Sequence, residues 1–232
     1  NLLRRNAASS LDVVLLSAAE PSTLLASRLL TKESFAEAHR ALRPGGVMAF
    51  ALPGAENYYS PELVARNGAV YKALTSVFAH VVVTPLSTNY FLASDAPLSG
   101  DPEELGRRME RRRVTANFVD EYSLAVLMPD ERMQSLSNRY RDAAVAASSD
   151  RLPTAYLHNL LVSGRADSGR VADLLRRALS LGFWPLVLGL AVLLVAPALL
   201  TARGLRPQMP VLLVVSAVGF SSMASAVLIL AV

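Results

Sequence analysis

Two short loops hold the side chains best suited to chemistry. One runs Ser17-Ala18-Ala19-Glu20-Pro21-Ser22, the other Pro53-Gly54-Ala55-Glu56-Asn57-Tyr58. Each follows an apolar run of strand length, Val13 to Leu16 and Val47 to Leu52. Glu20 either holds a cationic ligand or caps its loop. Glu56 either supplies a second carboxylate, with Asn57 and Tyr58 hydrogen-bonding beside it, or is solvated while Tyr58 packs on the helix behind. Ser17 has no neighbour in sequence that would activate its hydroxyl. The chain has no cysteine, and His39, His80 and His158 lie far apart without ligand-like spacing, so no metal site is predicted. His158 reads as a structural histidine rather than an acid or base.

The segments between these loops explain why they should meet. Val13 to Leu16 has the unbroken apolar character of a strand buried on both faces of a parallel sheet. Thr31 can cap a helix in which Phe35, Ala38 and Leu42 recur at helical spacing, and Pro44-Gly45-Gly46 should end it. Strand, helix, strand at this length is a βαβ crossover with parallel strands and a right-handed connection. Ligands of such sheets bind beyond the carboxyl ends of the strands, where both loops fall.

Leu11-Asp12-Val13-Val14, Ala19-Glu20-Pro21 and Leu42-Arg43-Pro44-Gly45-Gly46 occur in that order. This set resembles the C-terminal half of a spermidine synthase (polyamine aminopropyltransferase) catalytic domain. The likeness is to a membrane-bound bacterial branch, and Ser60-Pro61-Glu62-Leu63 and Ala155-Tyr156-Leu157-His158-Asn159-Leu160-Leu161 also carry it, over roughly residues 11 to 165. It implies a methyltransferase-like (Rossmann-type) α/β sheet and an aminopropyl donor, decarboxylated S-adenosylmethionine, or else S-adenosylmethionine. It also implies a small amine acceptor such as putrescine. Glu20 takes the place of an amine-binding aspartate and is, with Ser17, the candidate catalytic residue. Ser17 stands where the family has its catalytic aspartate, and with Ala18 would face the donor. Serine is no equivalent base, so orthodox catalysis is expected to be impaired. A methyltransferase of the same fold, or a non-catalytic membrane protein keeping the sheet as a structural or ligand-sensing module, are the other functions this pattern admits. A whole domain of this type has upstream strands with a glycine-rich nucleotide loop and a ribose-binding acid. Neither occurs here, so the N-terminal part of the sheet is expected to be missing.

The rest of the chain reads as helices around a hairpin, then apolar spans. Ser60 and Pro61 start a helix whose inward stripe is Leu63, Val70, Leu74, Val77 and Phe78. Val81 to Thr84 and Asn89 to Ser94 form an antiparallel hairpin, and Asp101-Pro102 caps an arginine-rich helix reaching Arg113. A helix follows from Pro129 to Ala147, with Met133, Leu136, Tyr140 and Ala144 on one side. Leu179 to Leu200 is uncharged over 22 residues and Pro210 to Val232 over 23. A helix crosses a bilayer with about 20 apolar residues. The predicted organisation is therefore an α/β part over residues 1–120, a helical connection over 121–178, and a transmembrane hairpin over 179–201 and 210–232. Arg165, Arg170, Arg176 and Arg177 before the first span outnumber Arg203 and Arg206 in the loop. That places the sheet at the cytoplasmic face of what the resemblance makes a bacterial inner membrane. Membrane lipids and a small amine are the expected partners, with self-association through the sheet or the spans open.

A net charge of +4 raises the question of nucleic acid, but aromatic residues are only 6% and the arginines are spread over helices. Arginines flanking apolar spans account for the charge better, and no nucleic-acid partner is predicted.

Overall fold

The computed structural model describes residues 9–17, 20–114, 116 and 121–167. The chain divides into one compact unit, Asn1–Ser163, and a second, Gly164–Val232. Both predicted membrane spans, 179–201 and 210–232, lie outside the described residues. Among the described residues no helix is long and apolar enough to cross a membrane.

Strand β1 (Leu11–Leu16) is followed by a helical turn, α1 (Leu24–Ser27), and a 3-10 turn, Arg28–Leu30. Helix α2 (Lys32–Ala41) then leads into strand β2 (Leu42–Pro53). Thr31 caps α2 as its residue type predicts, its hydroxyl accepting from the Ser34 amide at 3.4 Å. Helix α3 (Pro61–Thr75) has Ser60 as its cap, accepting from Leu63 N at 3.2 Å. Strands β3 (His80–Val83) and β4 (Thr88–Ser94) form the predicted hairpin. Four helices follow: α4 (Pro102–Arg111), α5 (Glu121–Leu127), α6 (Asp130–Arg141) and α7 (Thr154–Asp167).

The sheet order is β1-β2-β4-β3, with β1 and β2 parallel and the other pairs antiparallel. The fold is thus a mixed α/β sheet, and the crossover from β1 to β2 joins parallel neighbours as expected. Residues alternate between its two faces. Val14, Met48, Phe50, Leu52, Phe91 and Val83 share one face and are buried. Against them pack Phe35 and Ala38 of α2, Val70 and Leu74 of α3, and Leu136 and Tyr140 of α6. Ring stacking runs through this layer, from Phe35 to Phe50 at 5.6 Å, to Phe91 at 4.9 Å and to Tyr140 at 6.2 Å.

Three expectations are corrected. Strand β1 is not buried on both faces, since Val13 is 52% and Leu15 74% exposed. It is one of the two edge strands of the described sheet, and the helices that build the core lie on the side of Val14. Helix α2 ends at Ala41, and the Pro44-Gly45-Gly46 turn sits within β2 instead. Gly45 there has φ +77°, which glycine tolerates, and the β1–β2 register shifts beside it. Helix α6 stops at Arg141 rather than Ala147, because tertiary hydrogen bonds claim the chain beyond it. Lys72 Nζ donates to the carbonyls of Ala143 and Val145, and the Ser148 amide donates to Ala69 O.

The two faces should differ in energetic weight. Phe50→Ala is expected to cost about 3–5 kcal/mol, and Leu15→Ala less than about 1 kcal/mol. Denaturant midpoints of the two variants, followed by near-ultraviolet circular dichroism, measure the contrast.

Candidate functional site

Helix α3 carries a polar pair where its inward stripe meets the end of the sheet. Arg66 falls three residues after Leu63 and four before Val70, so helical geometry turns it inward, and it is fully buried. Its Nε donates to Asn67 Oδ1 at 3.0 Å, Nη1 to Asn159 Oδ1 at 2.9 Å, and Nη2 to the Pro53 carbonyl at 2.7 Å. Nη1 also lies 3.7 Å from Glu20 Oε1. One guanidinium thereby ties the loop after β1, the last residue of β2, α3 and α7. Burial pulls the Arg66 pKa below its ordinary value, and the nearby Glu20 charge opposes that fall.

Asn67 extends the cluster. Its Nδ2 donates to Pro53 O at 3.0 Å, to Asn89 Oδ1 at 3.2 Å and to the Tyr140 hydroxyl at 3.1 Å. Tyr140 in turn donates to Asn89 Oδ1 at 2.5 Å, and Asn89 Nδ2 donates to the carbonyls of Thr84 and Leu86. Burial raises the Tyr140 phenol above its ordinary pKa, so it stays a donor throughout the physiological range. Gly54 lets β2 end against this cluster, since a Cβ there would collide with the Asn89 side chain.

Arg66 links the two chemistry-bearing loops, through Glu20 of the first and the Pro53 carbonyl at the start of the second. Glu20 is half-exposed and engaged with that arginine. Ser17 is exposed, and no histidine or carboxylate bonds to its hydroxyl among the described residues. Ala18 lies outside the described residues. Asp12 pairs with Arg43, away from this end of the sheet. In the second loop Glu56 and Asn57 are exposed and border a cleft of about 350 Å³ with Tyr59, Pro85 and one face of α6. Tyr58 is 74% exposed and does not pack on the helix behind; Tyr59 turns inward instead, 6.4 Å from the Tyr140 ring. A roomier cleft of about 540 Å³ lies by Ser9, Gly45 and Gly46, at the opposite ends of the parallel strands. Among the described residues no group of side chains is placed to hold a metal ion.

Over 64% of its length the chain is similar to a crystal structure of a probable spermidine synthase from Corynebacterium glutamicum ATCC 13032, at 19% identity and a TM-score of 0.39. It spans 50% of that protein's length. No family model matches the chain, and no curated protein does.

Arg66, Asn67, Asn89 and Asn159 carry most of the cluster, yet periodicity alone passes them over. The usable signal is an arginine and an asparagine inside an otherwise apolar stripe. His158, also on α7, is half-buried, which lowers its pKa, while Glu62 pulls the other way.

Two outcomes follow from this cluster. Glu20→Gln leaves the buried Arg66 without its anion, and is expected to destabilise the fold by about 1–3 kcal/mol, below the loss for a fully buried pair. Adding Arg66→Met to Glu20→Gln should show coupling in a double-mutant cycle of unfolding free energies. Because the folded-state pKa of His158 is depressed, its protonation opposes folding. That stability is fully present above the unfolded histidine value, near 6.5, and falls as pH drops below it. Stability measured between pH 7.5 and 5 should therefore fall less steeply in His158→Gln than in the parent.

Proposed function

We propose that this chain is part of a membrane-anchored, spermidine-synthase-like transferase with a methyltransferase-type sheet. It moves an aminopropyl group from decarboxylated S-adenosylmethionine to an amine. The observation that carries this reading is the junction at Arg66. It draws the loops after two parallel strands, with their carboxylates Glu20 and Glu56, to one end of the sheet, where ligands of such folds bind. The ordered motifs from Leu11 to Gly46 support the choice of reaction by resemblance. Residues 179–201 and 210–232 would hold the α/β part at the cytoplasmic face, among membrane lipids.

The donor supplies an electrophilic propyl carbon next to its sulfonium. The acceptor nitrogen attacks with its lone pair, the carbon–sulfur bond breaks, and the thioether leaves with the bonding electrons. The nitrogen then gives up a proton. Glu20, Glu56 and the neighbouring Glu131 favour cationic amines electrostatically and align the attacking nitrogen. Ser17 offers no carboxylate to take the proton, so proton removal falls to solvent or to Glu20 once a ligand has drawn it from Arg66.

A non-catalytic, ligand-sensing role is the second reading. Ser17 favours it, and so does Glu20, already spent in part on a buried arginine. Calorimetry of detergent-purified full-length protein with decarboxylated S-adenosylmethionine, S-adenosylmethionine and putrescine separates the readings. The transferase reading expects the decarboxylated donor to bind more tightly than S-adenosylmethionine, and aminopropylated amine to form. Amine binding should weaken at least tenfold both in Glu20→Gln and in Glu20→Gln/Arg66→Met. Donor binding without product supports the sensing role; tighter S-adenosylmethionine binding points to methyl transfer, and no donor binding overturns the transferase reading.

A further inference from the structure

We propose that the cleft between the second loop and α6 binds a small zwitterion, an amine that also carries a carboxylate. The cleft is about 350 Å³, ample for a molecule of amino-acid size, and it is bordered by two charges of each sign. Glu56 comes from the loop after β2, while Glu131, Arg132 and Arg139 come from α6, with Ser135 between them. Positions 132, 135 and 139 recur at helical spacing, which is why one face of α6 supplies most of the lining. All four charged side chains are exposed, and among the described residues neither carboxylate forms an ion pair with either guanidinium.

The two arginines are held in place by contacts other than these carboxylates. Arg132 Nη2 donates to Glu56 O at 2.6 Å and to Pro85 O at 3.4 Å, which fixes it at the rim. The Arg139 guanidinium sits 5.5 Å from the centre of the Tyr59 ring, an aromatic support that leaves its N–H groups available. The Tyr59 ring thus lines the cleft as well as supporting Arg139.

Charge sign then selects the ligand class. A diamine would bring a second ammonium against Arg132 and Arg139, and a dicarboxylate would bring a second anion against Glu56 and Glu131. Only a ligand with one group of each sign meets all four favourably, its carboxylate on the arginines and its ammonium on the glutamates. The inference deepens the transferase reading by giving the acceptor amine a chemical class, although binding itself does not depend on transfer.

Three probes with a four-carbon spacing and different ends test it: 4-aminobutyrate, putrescine and succinate, titrated calorimetrically into the detergent-purified full chain. The zwitterion is expected to bind at least tenfold more tightly than either of the others. Arg139→Gln and Glu56→Gln should each weaken it at least fivefold, and Arg107→Gln, on the exposed arginine paired with Glu103 of α4, should not. Putrescine or succinate binding as tightly as 4-aminobutyrate overturns the proposal, as do unchanged binding in both cleft variants and an absence of heat with all three. Retained 4-aminobutyrate binding without donor binding would remove the transferase reading and leave this one. Donor binding with preference for putrescine would do the reverse.

Discussion

A guanidinium taken out of water must have its N–H groups met by acceptors, and at Arg66 those acceptors come from four separate parts of the chain. The Pro53 carbonyl marks where β2 must stop, and Asn159 fixes where α7 must lie. Glu20, in the loop after β1, provides the opposite charge. Since Arg66 is one helical turn from both Leu63 and Val70, the same helix that seals the apolar layer also carries this demand into the sheet end. Packing and polar satisfaction are therefore not independent here. Moving α3 to improve one would break the other.

The sheet beneath is lopsided. One face stacks four aromatic rings and takes side chains from α2, α3 and α6; the other leaves Val13 and Leu15 largely open to solvent. Hydrophobic stabilisation follows buried apolar area, so the face of Phe50 carries the unit while the face of Leu15 contributes little. The stack also sets the depth of the polar cluster. Tyr140 ends the ring series and places its hydroxyl between Asn67 and Asn89, so the aromatic layer positions the amide network directly.

Elements governed by local chemistry are legible in the sequence. Thr31, Ser60 and Asp101 cap the helices they were expected to cap, because a short oxygen-bearing side chain satisfies free amides in any context. The hairpin and the β1–β2 crossover follow from apolar runs and their spacing. What failed depended on distant partners. The periodicity of α6 continues to Ala144, yet Lys72, some seventy residues earlier in the chain, takes the carbonyls that would have prolonged the helix. Val13 to Leu16 has the composition of a doubly buried strand, and composition cannot report which neighbours are present. In the site, Glu20 and Glu56 are visible as carboxylates at strand ends, whereas Arg66, which pairs with Glu20, is hidden within an otherwise apolar stripe.

That hidden arginine changes what the carboxylates can do. A glutamate facing water at a strand end is free to bind an ammonium, but Glu20 also balances a buried cation, and a ligand that displaces Arg66 must compensate a charge with no route to solvent. Glu56 carries no such obligation. It stands beside a cleft whose other wall, α6, brings Glu131 and two arginines within the same small volume. Recognition of a ligand's charged ends is therefore less costly at α6 than at Glu20. On the proposed reading, Glu20 therefore serves both the junction of the two loops and the reacting amine, while the α6 face discriminates among amines by the charge at their far end.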